Sequence, residues 1–115
     1  MRVTEVDYPD ARPVEGYGPG FFRIAGEIIE GPMIVTPDGV SKWDGQADAL
    51  VQLAKTVDVI LYGTGAEMAH PPHDLREALE EVGLGLEPMI TPSACRTYNV
   101  LLGEGRRVAL AVLPV

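Results

Sequence analysis

The segment Val59-Ile60-Leu61-Tyr62-Gly63-Thr64-Gly65 sets the fold class. Four apolar residues run without interruption and glycines close them, the pattern of a short strand buried on both faces. Upstream, Ala47, Leu50, Val51, Ala54 and Val57 recur at helical spacing, and Asp44 or Asp48 serves the helix start electrostatically. Downstream, Leu75, Ala78, Leu79 and Val82 predict a second amphipathic helix, with Asp74 in its first turn and Gly83 as its stop. Leu86 to Ile90 predicts a short strand. Thr91-Pro92-Ser93 introduces a third helix, with Ser93 as the expected N-cap and Gly103 as the stop. Val108 to Leu113 predicts the last strand. Three helix–strand alternations predict a largely parallel sheet covered by helices.

The residues before this series are rich in turns. Tyr17-Gly18-Pro19-Gly20 reads as a turn. Phe21 to Ile24, Glu27 to Glu30 and Met33 to Thr36 read as strands, the last bracketed by Pro32 and Pro37. Asp38-Gly39 is a turn signal, and Val40 to Trp43 continues the pattern. The expectation is a three-layer α/β domain, residues 1–115 in a single unit. It has a mixed, largely parallel central sheet and a small N-terminal antiparallel β unit. Ligands on such sheets gather beyond the carboxyl ends of the strands.

Composition narrows the classes of partner. With 115 residues, 46% of them apolar, the chain can bury a core without metals or disulfides. A net charge of −8 repels phosphate backbones and anionic membrane surfaces, and the densest basic cluster is Arg106-Arg107. Nucleic acid is not an expected partner. Met1 to Asp7 has no apolar signal core, and no apolar run approaches the roughly 20 residues of a membrane span. A soluble, cytoplasmic protein is expected, with no transmembrane segment and no cofactor.

Two constellations are candidates for chemistry. Cys95, the one cysteine, is expected in the first turn of the third helix, where free N–H groups and the helix dipole favour a thiolate; Arg96 adds positive charge. The competing reading is a small buried side chain, common for free cysteine. Gly63-Thr64-Gly65 follows a buried strand, as phosphate-binding loops do, but it lacks the third glycine of a dinucleotide site and the lysine of a P-loop. A tight strand exit, allowing close backbone approach, explains it better. Gly63, Thr64, Gly65, Ser93, Cys95, Arg96, Tyr98 and Asn99 together make the candidate pocket at one sheet edge. Arg106 and Arg107 follow the third helix and suit its dipole. His70 and His73 lie three apart among prolines. A solvated loop suits them better than a metal site, and no metal is expected.

Tyr17 to Ile24, Trp43, Val59 to Gly65 and, above all, Ala94-Cys95-Arg96-Thr97-Tyr98-Asn99-Val100-Leu101-Leu102 carry a family likeness, extended by Glu104 to Ala109. Together they resemble the small bacterial and archaeal domain family of unknown function that includes the mitochondrial respiratory complex I assembly factor 3. The resemblance implies a three-layer α/β fold and a role in assembling a membrane complex. Where the family often carries an aspartate and a glycine before the cysteine segment, this chain has Ile90 and Pro92. No carboxylate stands there for acid–base work. Two functions are thus expected in competition. One is a non-catalytic interaction module whose partners are proteins, such as subunits of a membrane complex. The other is a pocket for a small molecule or anion, an enzyme among its forms, built on Cys95, Arg96 and the Gly63–Gly65 loop.

Overall fold

Parallel pairing of three apolar strands organises the molecule. A computed structural model describes residues 12–115 of the chain, so the reading of Met1 to Asp7 lies outside the described residues. β6 (Val59–Gly63) pairs in parallel with β7 (Gly85–Met89) on one side and β8 (Val108–Val112) on the other. Leu61 stands opposite both Glu87 and Leu110. Parallel neighbours need crossover connections. Helix α2 (His73–Glu81) joins β6 to β7, and α3 (Thr91–Gly103) joins β7 to β8.

On the far side of β8 the sheet continues antiparallel through β4 (Met33–Thr36) and β5 (Gly39–Lys42). The order is β5-β4-β8-β6-β7, a mixed sheet as expected. The N-terminal antiparallel unit is divided, however. β1 (Gly16–Gly18), β2 (Phe21–Ile24) and β3 (Glu27–Glu30) form their own three-stranded sheet, while β4 and β5 leave it for the central one. Burial explains the division. Met33, Ile34 and Val35 are consecutive and all buried, so β4 needs cover on both faces. In β2, by contrast, buried Phe22 and Ile24 flank exposed Arg23, as suits a sheet with one covered face.

The core lies on both faces of the central sheet. Leu61, Val108, Leu110 and Val112 point toward Ala94, Cys95 and Tyr98 of α3 and toward Phe22, Ile24 and Ile29 of the small sheet. Ile60, Tyr62, Ala109 and Ala111 point the other way, onto Trp43, Leu50, Leu75 and Leu79. All five residues of β8 are buried. Each large apolar side chain so covered contributes about 1.5–3 kcal/mol relative to exposure. The result is three layers: α2 and the short α1 (Asp48–Val51), the central sheet, then α3 beside β1–β3.

Helical spacing from Ala47 to Val57 closes as only one turn of α-helix. After Val51 the chain tightens into three-residue steps: Leu53 donates to the Leu50 carbonyl (3.0 Å) and Thr56 to that of Leu53 (2.9 Å). The tighter winding still buries Leu50 and Val57. Arg107 fixes this corner instead of closing the third helix. Its Nε donates to the Thr56 carbonyl (3.1 Å) and its Nη2 to that of Lys55 (3.2 Å).

Candidate functional site

β6, β7 and β8 are parallel, so their carboxyl ends meet at one edge, and α3 begins there directly after β7. The Gly63–Gly65 loop and the start of α3 are therefore brought together, as the sequence predicts. The residue that joins them is one the sequence reading passed over. Thr91, fully buried, uses its hydroxyl to accept the Gly65 N–H (2.9 Å) and to donate to the Leu113 carbonyl (2.7 Å). Its own N–H donates to the Gly65 carbonyl (2.9 Å). One side chain thus ties the exits of β6 and β8 to the head of α3. The available signal was a threonine set immediately before a proline at a strand-to-helix junction.

This knot uses up the loop amides. Besides the Gly65 N–H on Thr91, the Thr64 N–H donates to the Met89 carbonyl (2.9 Å), and the Thr64 hydroxyl donates to that of Glu67 (2.7 Å). Gly63 is needed for close approach: a Cβ there would stand 2.5 Å from Val112 Cγ1 and 2.6 Å from Thr91 Oγ1. The glycines serve a tight strand exit.

α3 starts three residues earlier than the serine cap predicts. Ile90 is the N-cap, with no side-chain capping bond, and Ser93 is the third helical residue. Pro92 explains the shift, because a proline lacks the N–H that the first turn cannot use and presets a helical φ. Cys95 is accordingly the fifth helical residue, beyond the first turn. It is 4% exposed, and burial pushes its thiol up to about 11. Cys95 thus takes the buried position of the competing reading: desolvation raises the thiol, and the helix start is too far away to offset it. Tyr98, one turn on, is fully buried, its hydroxyl has no hydrogen-bond partner among the described residues, and burial pushes it up to about 12.

The rest of the predicted pocket lies on another flank of α3. A groove of about 200 Å³ runs between residues 14–17 and the Pro92, Cys95, Arg96 and Asn99 positions of α3. Gly63, Thr64, Gly65, Ser93 and Tyr98 do not line it. Asn99 forms its end wall. Its Oδ1 accepts the Val14 N–H (2.8 Å), and its Nδ2 donates to the Val14 carbonyl (3.0 Å). Glu15 is engaged too, accepting the Gly26 N–H (3.0 Å). Arg96 is exposed, and among the described residues its guanidinium has no hydrogen-bond or ion-pair partner. Tyr17 completes the groove at 44% exposure. Among the described residues the groove thus offers one unpaired cation, one aromatic ring and one thiol.

His73 pairs with Glu77 on the exposed side of α2 (3.5 Å), and among the described residues no three His, Cys, Asp or Glu side chains gather as a metal site. Among the same residues, no helix is long and apolar enough to cross a membrane.

Residues 14–113 match a family described as a protein of unknown function (DUF498/DUF598). An uncharacterized protein of Rhodobacter capsulatus is 48% identical over 117 residues, which span 100% of this chain and 94% of that one. The mouse NADH dehydrogenase [ubiquinone] 1 alpha subcomplex assembly factor 3 is 29% identical over 125 residues, spanning 99% of this chain but only 66% of its own length. Among solved structures, an outer membrane protein from Bartonella henselae superposes with a TM-score of 0.84 at 32% identity, covering 92% of this chain and 97% of that chain.

Proposed function

The chain belongs to the DUF498/DUF598 family, and on that premise we propose that it is a non-catalytic interaction module that aids the assembly of a membrane complex of the respiratory kind. The observation that carries this reading is the match to the animal assembly factor along 99% of this chain. The whole of the described domain, and not one motif, is what the two proteins share. The activity and partners of the longer animal protein are transferred here as part of the proposal. The module acts from the cytoplasm as one domain, its partners are proteins, and its net charge of −8 argues against nucleic acid.

The rival reading, a small-molecule or anion pocket, uses Cys95, Arg96 and the Gly63–Gly65 loop; its covalent version needs a thiolate at Cys95, and its anion-binding version needs Arg96 with free loop amides. The Thr64 and Gly65 amides are bonded within the fold, and burial holds the thiol protonated.

The test is affinity purification of the tagged full chain from its own cells after mild crosslinking, with mass spectrometry of the retained proteins. Reproducible recovery of subunits of one membrane complex is the expected result. Recovery of the chain alone, in repeated preparations, overturns the assembly role.

A further inference from the structure

Edge strand β1 leaves backbone groups without a strand partner among the described residues. β1 and β2 form a hairpin in which Gly18 and Phe21 pair across Pro19-Gly20. In a two-residue hairpin the closing pair exchanges the hydrogen bonds, so the next pair, Tyr17 and Phe22, does not. The N–H and C=O of Tyr17 therefore point off the open edge of the sheet. No strand among the described residues pairs with that edge. Gly16 beside it shares Arg23 as its partner with Glu15, whose N–H donates to the Arg23 carbonyl (2.9 Å), so the strand bulges there.

The side chains around the edge agree with this. Tyr17 shares a face with Phe22 and Ile29, which are 0% and 3% exposed, yet it stands 44% exposed. The covered face of the small sheet thus runs out at Tyr17 into the groove. Arg96 overhangs the same groove with its charge unmatched among the described residues, while Glu15 is already bonded to Gly26. An incoming carboxylate has one obvious seat.

We propose that the β1 edge and the groove under α3 hold an extended segment of a partner protein. That segment adds a fourth strand to the small sheet at Tyr17, lays an apolar side chain against the Tyr17 ring, and places a carboxylate on Arg96. The main-chain bonds supply register, and alternate side chains supply selectivity. The inference deepens the assembly reading, which it uses only for the nature of the partner.

The test uses the full chain and a display library of short random peptides. Enriched peptides are expected to alternate apolar residues and to carry Asp or Glu at one position. The Arg96→Glu variant is expected to bind those peptides about tenfold more weakly or worse and to enrich Lys or Arg at that position. The Tyr17→Ala variant, which keeps the backbone edge, is expected to weaken all enriched peptides. Amide exchange at Tyr17 is expected to be fast in the free chain and slow with an enriched peptide bound. The proposal is overturned by a failure to enrich any such class or by equal binding to Arg96→Glu. A Tyr17 amide already protected in the free chain also overturns it, since the chain's own residues then occupy the edge. Peptide binding without recovery of a membrane complex from cells removes the assembly role and leaves the docking edge. Recovery of the complex by wild type and Arg96→Glu alike does the reverse.

Discussion

The carboxamide of Asn99 bonds both backbone groups of Val14, 85 residues earlier in the chain. This is the pairing a neighbouring strand would make, supplied by a side chain on a helix. It fixes where the chain enters β1, and so it fixes the groove wall facing Cys95 and Arg96. Asn99→Ala should cost about 1–3 kcal/mol, since two part-buried backbone groups lose their partner. Asn99→Asp should cost at least as much at neutral pH, because a carboxylate accepts the N–H but repels the carbonyl. Urea denaturation of the three proteins measures this. Equal stability of wild type and Asn99→Ala would show that the clamp contributes nothing.

Thr91 makes a sharper case, as its hydroxyl has partners on both sides. Thr91→Val keeps the shape and orphans the Gly65 N–H and the Leu113 carbonyl. A loss of about 2–4 kcal/mol is expected, with Thr91→Ser losing much less. If valine and serine are equally stable, packing and not hydrogen bonding holds this junction.

Gly63→Ala tests the strand exit. The added methyl has to displace Val112 or the Thr91 hydroxyl, so about 1–3 kcal/mol of destabilisation is expected. The same substitution should leave peptide binding at the β1 edge unchanged, because Gly63 does not line that groove. A parallel loss of both properties would link the two regions.

Burial of Cys95 has a kinetic and a thermodynamic signature. With its thiol raised from 9.0 to about 11, the thiolate fraction at neutral pH falls about 100-fold below that of an ordinary cysteine. Native-state alkylation should be slower than alkylation of the denatured chain by at least that factor, measured by mass spectrometry against time. Fast native alkylation near pH 7 would contradict the buried thiol.

The stability effect has a definite sign. Above about pH 9 the unfolded chain releases the Cys95 proton while the folded chain retains it, so stability is full below that pH and falls as pH rises toward 11. Tyr98, raised from 10.0 to about 12, acts in the same direction one unit higher. Each group lowers stability by up to about 1.4 kcal/mol per pH unit within its window. Cys95→Ala should flatten the first part of the decline and Tyr98→Phe the second, read from urea midpoints at successive pH values.

Much of the architecture was legible because it is written in local pattern. Val59 to Tyr62, Leu75 to Val82 and Val108 to Leu113 each carry their own periodicity, and their alternation identifies the parallel half of the sheet. The antiparallel half was less legible. Met33 to Thr36 reads as a strand, but nothing local says that it leaves β3 to pair with β8, some 75 residues later, with Ile34 opposite Ala111. Its three consecutive buried residues were the clue. The site was legible in part. Cys95, Arg96 and Asn99 do line one groove, yet the partners of Thr91 lie 22 and 26 residues away, and only the fold brings them to it. Ser93 misled because a capping residue was credited with a start that Pro92 sets earlier.

The position of β8 bears on how the protein is made. It lies between β4 and β6, and translation delivers it after both. While a nascent chain awaits Val108 to Val112, β4 and β6 each present an apolar edge with no neighbour on that side. Such edges recruit other chains. The central sheet therefore closes late, only when its middle strand arrives.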